Sequence, residues 1–311
     1  MSQCVNLVAD VGGTNTRLAF STGNSVRSET IRRYQNNTAE SFEEILDQYL
    51  SDMAISRVGK ACIAVAGPIH GNSAELTNMN WKIQNDELKK LLNIEISVII
   101  NDMQAQGYAL TSLKATDVSH VHGEENIDSS KRMLVCGIGT GFNIALAIPT
   151  KKRLFVPPSE AGHVRLHAGN AVEQKIVDHL LATKGFAGVE EVLSGRGMGL
   201  INSLLFPKNL RGSHEIIAEA KRDPKAKYVI DVFAVILGSH IGDLALTTLP
   251  EGGIFLIGGL SRGISKFLEK HTFWDAFCDK GRFSDFNKNF GIHLITDDYA
   301  ALKGCANYLL P

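Results

Sequence analysis

The chain has little that would mark it for the cell exterior, a membrane or a nucleic acid. Its five cysteines (Cys4, Cys62, Cys136, Cys278, Cys305) are scattered and form no CxxC pair, so neither a spaced disulfide framework nor a zinc cluster is legible. Four of them sit in apolar runs, where a free thiol behaves as a small hydrophobe. Neither sign of charge is in excess: 32 Lys and Arg against 33 Asp and Glu leave a net −1. With that balance and no basic stripe, there is no footprint for nucleic acid and no polybasic face for a membrane. No basic segment followed by an apolar run stands near Met1, so no secretory signal is expected and the compartment expected is the cytoplasm. The longest apolar segment, YVIDVFAVILGSHIGDLALTTL, is broken by Asp231, His240 and Asp243. It reads as a buried helix rather than a membrane span. Low-complexity tracts and linker-like stretches are also missing.

What is present is a chain of 311 residues, 44% hydrophobic and 21% charged, long enough for roughly two domains. Its most informative stretch is NLVADVGGTNTRLAFSTGN, residues 6–24. An apolar run ends in Asp10, passes Gly12, Gly13, Thr14 and Asn15, and becomes apolar again, with more polar chemistry than a reversal of the chain requires. Glycines let the backbone approach a ligand and point successive amides one way, which makes a phosphate cradle; the plain alternative is a hairpin turn. A Rossmann fingerprint needs GxGxxG opening a helix, whereas TRLAFS alternates like a strand. A Walker loop needs GxxxxGK[ST], and no such lysine follows either glycine cluster. A hairpin-type phosphate loop remains. Asp10 beside it would repel phosphate unless a cation intervened, and one carboxylate beside a polyphosphate suits Mg²⁺, directly or through water. Capping of the turn is the other use of such an aspartate.

Two β-rich blocks organise the chain. After the first, a helix is expected over roughly 39–54, with Ser41 and Glu44 as a capping box. The strand KACIAVAGPI, a short helix near 85–92 and the strand ISVII follow. The second block is RMLVCGIGTGFNIALAIPTKKRLFV. Helices are expected near 170–184, 196–205, 214–222 and 226–248, then the strands GGIFLIGG and GIHLI, and a final helix over 298–309. LVADVGGTNTRLAF lies over LVCGIGTGFNIALA at an offset of 127 residues. Chance likeness of two glycine hairpins is one explanation; a duplicated nucleotide-binding core is the other.

Eight segments in order, LVADVGGTNTRLAF, AVAGPI, LTNMNW, VIINDMQAQGYAL, GIGTGFN, PSEAGHV, EEVLSGRG and IFLIGGL, resemble the bacterial glucokinases, of the sugar kinase, Hsp70 and actin superfamily. The resemblance runs from Leu7 to the last helix. It implies an α/β, two-domain actin-like ATPase (ribonuclease H-like) fold with a cleft between the domains. A small domain of residues 1–103 plus 297–311 and a large one of 104–296 are expected. Glucose and Mg-ATP would meet in the cleft, whose closure would keep water from competing with the sugar hydroxyl. Relatives are homodimers, which is the assembly implied here.

The resemblance also assigns residues. Asp102 matches the base that takes the proton of the sugar's 6-hydroxyl, and Asn101 would bind a sugar hydroxyl; without the resemblance, the pair reads as a helix cap. Glu160 and His163 would grip sugar hydroxyls, a better reading than a metal pair, since no third ligand stands nearby. Glu190, in preference to its neighbour Glu191, would lie near the anomeric end, although adjacent glutamates at a helix start also serve the helix dipole. Asn78 would support the sugar pocket. Gly12, Gly13 and Thr14 would lie along the terminal phosphates, with Asn15 beside them and Gly139, Thr140 and Gly141 opposite. Gly258 and Gly259 would lie along the adenosine, where helix–strand packing would want glycine as well. Two positions depart from the pattern: Asn143, where a further glycine is usual, and Arg196, where proline is common. Three rivals are a kinase for another hexose, a sugar-responsive repressor and an inactive sugar-binding relative. The repressor would need a helix-turn-helix before the first strand, and the inactive relative has little use for Asp102.

Overall fold

Val5–Val11 and Asn15–Thr22 form an antiparallel hairpin in which Asp10 faces Arg17 and Val11 faces Thr16. The computed structural model describes residues 5–54, 57–76 and 79–310; Cys4 and Asn78 lie outside the described residues. It divides into two compact units, one of Met1–Lys114, Leu154–Pro158 and Asp297–Pro311, the other of Ala115–Arg153 and Ser159–Thr296.

In the first unit the sheet runs in the order Ser25–Val26, Asn15–Thr22, Val5–Val11, Val58–Val65, Ile96–Asn101, with Arg32–Gln35 paired to Asn15–Thr22. The last three strands of that order are parallel. Parallel strands are covered on both faces, which is why VNLVADV and VGKACIAV read as mainly apolar, broken at Asn6, Asp10, Gly59 and Lys60, instead of alternating. The crossover helices Phe42–Met53 and Asn85–Leu92 make those connections. Phe42, Ile45, Leu46 and Tyr49 bury the inner face of the first helix against Leu7 and Phe20. Only half of the expected capping box forms: Ser41 Oγ accepts from the Glu44 N–H at 3.2 Å, but Glu44 Oε2 accepts from the Glu40 N–H at 2.7 Å instead of reaching Ser41. Both crossover helices end on left-handed residues, Ala54 and Asn93. The helices Asp102–Ala109 and Ala300–Tyr308 pack together, so closely that a Cβ at Gly304 would overlap the Ala105 carbonyl oxygen.

In the second unit the strands lie in the order Val118–His122, Ile292–Ile295, Ile254–Ile257, Met133–Ile138, Phe142–Pro149. The last two form the second hairpin, and Met133–Ile138, Ile254–Ile257 and Ile292–Ile295 are mutually parallel. Between Phe142–Pro149 and Ile254–Ile257 the chain forms Ala171–Lys184, Gly195–Leu205, Ser213–Glu219 and Pro224–Thr248. The 25-residue helix is long and apolar enough to cross a membrane by composition. Val229, Phe233, Leu237 and Ile241 instead bury its inner side in the core of this unit, as the breaks at Asp231, His240 and Asp243 lead one to expect.

The strand plan is repeated: each unit contains a glycine hairpin whose first strand is flanked by two successive parallel strands. The overlay at 127 residues holds for the first strand of each hairpin only. Val11 and Thr16 enclose residues 12–15, closed by the Gly12 N–H to Asn15 O bond at 3.0 Å. Ile138 and Phe142 enclose residues 139–141, closed by the Gly139 N–H to Gly141 O bond at 3.0 Å. The second turn is one residue shorter, so its returning strand overlays at 126.

Candidate active site

In the first unit, strand register brings three loops to one end of the sheet. Val11, Val65 and Asn101 occupy one cross-strand row, so the Gly12–Asn15 turn, the Ala66–Pro68 turn and the Asn101–Asp102 junction all leave the carboxyl ends of parallel strands side by side. Ligands of open α/β sheets bind outside such ends. The Ala66 N–H reaches across to Val11 O at 2.9 Å and ties two of the loops together.

Asn101 is the N-cap of the helix Asp102–Ala109. Its Oδ1 accepts from the Met103 N–H at 2.9 Å, and Asp102 Oδ1 accepts from the same N–H at 2.8 Å. Gln104, which the sequence did not single out, accepts from the Asn101 N–H at 3.2 Å and donates to Val156 O at 2.8 Å, pinning Leu154–Pro158 to this helix. The cap therefore exists, and it fixes where the Asp102 carboxylate stands.

Asp10 is buried at the end of its strand and takes an ion pair from Arg17 Nη1 at 2.7 Å. Burial pushes the Asp10 carboxyl up from its ordinary range while the guanidinium opposes that rise. Arg17 went unremarked in the sequence, although its place in the returning strand sets it opposite Asp10. Beneath the turn lies Asn36, buried in a short 3₁₀ turn. Its Nδ2 donates to Gly12 O at 2.7 Å, its N–H donates to Thr14 O at 2.9 Å, and its Oδ1 accepts from Thr16 Oγ1 at 2.8 Å. Both turn carbonyls are thus drawn toward Asn36. The expectation that unusual glycine dihedrals aim the amides is not met, since neither Gly12 nor Gly139 has a left-handed φ; external hydrogen bonds shape the first turn instead. Thr14 is exposed at its tip.

In the second unit, Gly139, Thr140 and Gly141 form the corresponding turn with Thr140 exposed. A Cβ at Gly139 would meet nothing within 4 Å, so that side of the residue is open to approach, while its N–H and carbonyl are bonded to Gly141 O and the Gly195 N–H. Glu190 braces this turn: its Oε2 accepts from the Phe142 N–H at 3.1 Å, and its Oε1 pairs with Arg196 Nη2 at 3.1 Å. Glu191 turns elsewhere, to an ion pair with Lys184. The adjacent glutamates, equivalent in sequence, are separated by their partners.

Glu160 and His163 flank Ala161–Gly162, both exposed, with the His163 N–H donating to Glu160 O at 3.1 Å. Asn143, one of the two departures in the sequence, is the staple of this loop. Its Nδ2 donates to Ser159 O at 2.7 Å and to Glu160 Oε2 at 3.4 Å, and its Oδ1 accepts from the Ala161 N–H at 3.0 Å. Gly162 must be glycine, because a Cβ there would overlap the Phe142 carbonyl oxygen, and its own carbonyl accepts from the Glu190 N–H at 2.8 Å. Gly139–Gly141, Glu160–His163 and Glu190 therefore belong to one hydrogen-bonded assembly. A concavity of about 460 Å³ opens beside it, lined by Gly162, His163, Lys184, Phe186, Glu190 and Glu191 among others.

Gly258 follows the strand Ile254–Ile257 at φ 115°, where a Cβ would also overlap Ile138 O. Packing alone accounts for this glycine. Gly259, first in the helix Gly259–Gly263, has nothing within 4 Å of a would-be Cβ and presents open backbone. No group of three or more His, Cys, Asp or Glu able to hold a metal occurs among the described residues. The single carboxylate of Asp10 beside an open polar turn fits a Mg²⁺ that takes its remaining ligands from phosphate oxygens and water.

These arrangements can be set beside known proteins. A family model described as Glucokinase matches residues 7–311. A curated protein named Glucokinase from Salmonella arizonae is 34% identical over 311 residues, covering 97% of this chain and 96% of that protein. Among solved structures, a glucokinase from an Antarctic psychrotroph superposes with a TM-score of 0.86 at 28% identity, over 98% of each chain. A ROK family glucokinase from Streptomyces griseus, in complex with glucose and AMPPNP, gives 0.62 at 18% identity over 98% of each chain, a likeness of fold.

Proposed function

The chain belongs to the glucokinase family, with its two-domain actin-like ATPase fold and sugar-phosphorylating chemistry, and from that premise we propose that it transfers the γ-phosphoryl group of ATP to the 6-hydroxyl of D-glucose. The observation that carries the proposal is the common row of Val11, Val65 and Asn101, which gathers the Gly12–Asn15 turn and Asp102 at one end of one sheet.

In this reading Asp102 accepts the proton of the 6-hydroxyl as the O6–Pγ bond forms and the bond from Pγ to the β,γ-bridging oxygen breaks, leaving ADP. One oxygen of that carboxylate is anchored at the helix cap, on the Met103 N–H. Phosphoryl transfer asks little more of a protein than a positioned nucleophile and neutralised phosphates. Gly12, Gly13 and Thr14, with Asn15 beside them, and Gly139, Thr140 and Gly141 lie along the phosphates; the Gly12 and Gly139 N–H groups are used in closing their own turns. Gly258 and Gly259 lie along the nucleoside. Asn101, Glu160, His163 and Glu190 hold the sugar hydroxyls. Asp10 would hold Mg²⁺, directly or through water, and the ion when bound offsets charge on the phosphate oxygens. The cytoplasm as compartment and the homodimer as assembly belong to the same proposal.

The test is Mg-ATP-dependent phosphorylation of glucose, mannose, fructose, N-acetylglucosamine and N-acetylmannosamine, read as kcat/KM. Glucose is expected to lead. A lead for another hexose replaces the substrate and keeps the base, and failure on every sugar by folded protein removes the reading. The variant Asp102→Asn is expected to lose at least about 10²-fold in kcat, with sugar affinity kept within a few-fold. Near-normal turnover would take Asp102 out of the mechanism.

A further inference from the structure

Arg196 is the second residue of the helix Gly195–Leu205, whose N-cap is Ser194. A cation there stands at the positive end of the helix dipole, which disfavours it. Its local position therefore gives no reason for its charge, and the reason must lie in what it touches. It touches Glu190, at 3.1 Å from Nη2 to Oε1.

The last dihedral of a glutamate side chain is soft, so a carboxylate anchored through one oxygen still swings about that anchor. Glu190 is anchored through both oxygens, by the Phe142 N–H on Oε2 and by Arg196 on Oε1. The two anchors together fix the plane of the carboxylate, and each oxygen keeps a lone pair for an incoming hydroxyl. Glu190 lines the concavity beside His163 and Gly162, whereas Arg196 is not among its lining residues. Arg196 thus meets the carboxylate outside that concavity. Its helix is tied to the turn on that side, because the Gly195 N–H donates to Gly139 O at 2.9 Å.

We propose that Arg196 is a positioning residue for sugar recognition: it sets the orientation of the Glu190 carboxylate without touching the sugar. This rests on the reading of Glu190 as a sugar ligand.

The effect is bounded by exposure. Arg196 is 64% exposed and Glu190 25%, and solvent-exposed ion pairs contribute little. Arg196→Ala is therefore expected to raise the KM for glucose about three- to five-fold, while the KM for ATP and kcat move by less. Arg196→Lys keeps the charge, loses the fork and falls between. The difference between wild type and Arg196→Ala should shrink toward nothing at roughly 1 M salt, where screening reaches about 3 Å. In a Glu190→Gln background the Arg196→Ala change should add no further loss. An unchanged glucose KM, a loss that persists at high salt, or one that is fully additive with Glu190→Gln overturns the proposal while glucose phosphorylation stands. A wild-type protein that neither binds nor phosphorylates a hexose overturns the functional reading and this inference with it.

Discussion

The Gly12–Asn15 and Gly139–Gly141 turns close hairpins of the same plan, one residue apart in length, and differ most in what braces them. Under the first lies Asn36, which takes the Gly12 and Thr14 carbonyls; Arg33 Nε donates to Asn15 Oδ1 at 3.0 Å, and Asp10 is matched across the hairpin by Arg17. The second is braced from outside by a carboxylate, Glu190, and stapled through Asn143 to the loop of Glu160 and His163. One turn is held by Asn36 and Arg33, neither of them proposed to hold sugar. The other shares its hydrogen bonds with residues proposed to hold sugar, so whatever disturbs it should reach sugar binding as well. Repetition of a strand plan does not carry its chemistry along, because polar bracing is supplied by loops and helices outside the repeated strands.

The comparison can be broken most severely at the residue after the strand next to each hairpin. In the first unit that residue is Ala66; in the second it is Gly258, at φ 115° and against Ile138 O. Gly258→Ala is expected to cost about 3 kcal/mol, from overpacking together with a strained φ, read as the midpoint of urea unfolding. Ala66→Gly should cost about 1 kcal/mol or less. Equal effects would mean the halves are built alike.

A second difference lies beneath the second turn, where the Phe142 ring packs edge-on against His240 at 5.3 Å. Burial, the main cause, lowers the His240 pKa from 6.5 to about 4. The folded state resists protonation, so the stability involved is complete above about pH 6.5 and declines as pH falls toward 4. The loss is about 2–3 kcal/mol across that window. Stability against pH should be flatter for His240→Gln by that amount. Asn36, beneath the first turn, has no charge to gain, and Asn36→Ala should leave the pH profile alone.

Asn36→Ala should instead cost about 2 kcal/mol through buried groups left unpaired, and raise the KM for ATP more than that for glucose. The smallest effect is expected at the staple. Asn143→Ala should cost about 1 kcal/mol and shift the balance the other way, raising the glucose KM several-fold with less change for ATP. Matching KM patterns in these two variants would erase the distinction between the turns.

Much of the strand and helix order was legible because periodicity reports burial: VNLVADV and VGKACIAV show both-face cover, and residues 42–50 show a helical stripe. The shorter second turn was hidden, since GGTN and GTG both read as glycine turns and only the strand pairing fixes where each returning strand begins. Asn36 carried no local signal at all, being defined by residues twenty or more positions away. Arg17 was legible in principle, because a hairpin closing around residues 12–15 sets it opposite Asp10. Arg196 and Asn143 stood out only as departures from a pattern; that each touches a glutamate is tertiary information. Glu190 and Glu191 could be separated only by locating Arg196, Phe142 and Lys184.

The first unit draws on three segments of chain, the last being Asp297–Pro311. From that segment the helix Ala300–Tyr308 lies against the helix that begins with Asp102, with Asn307 Nδ2 donating to Tyr108 O at 2.8 Å. On a ribosome the second unit, which ends at Thr296, emerges before the first has its closing helix. Asp102 is synthesised in the first third of the chain, yet its helix waits about two hundred codons for its neighbour.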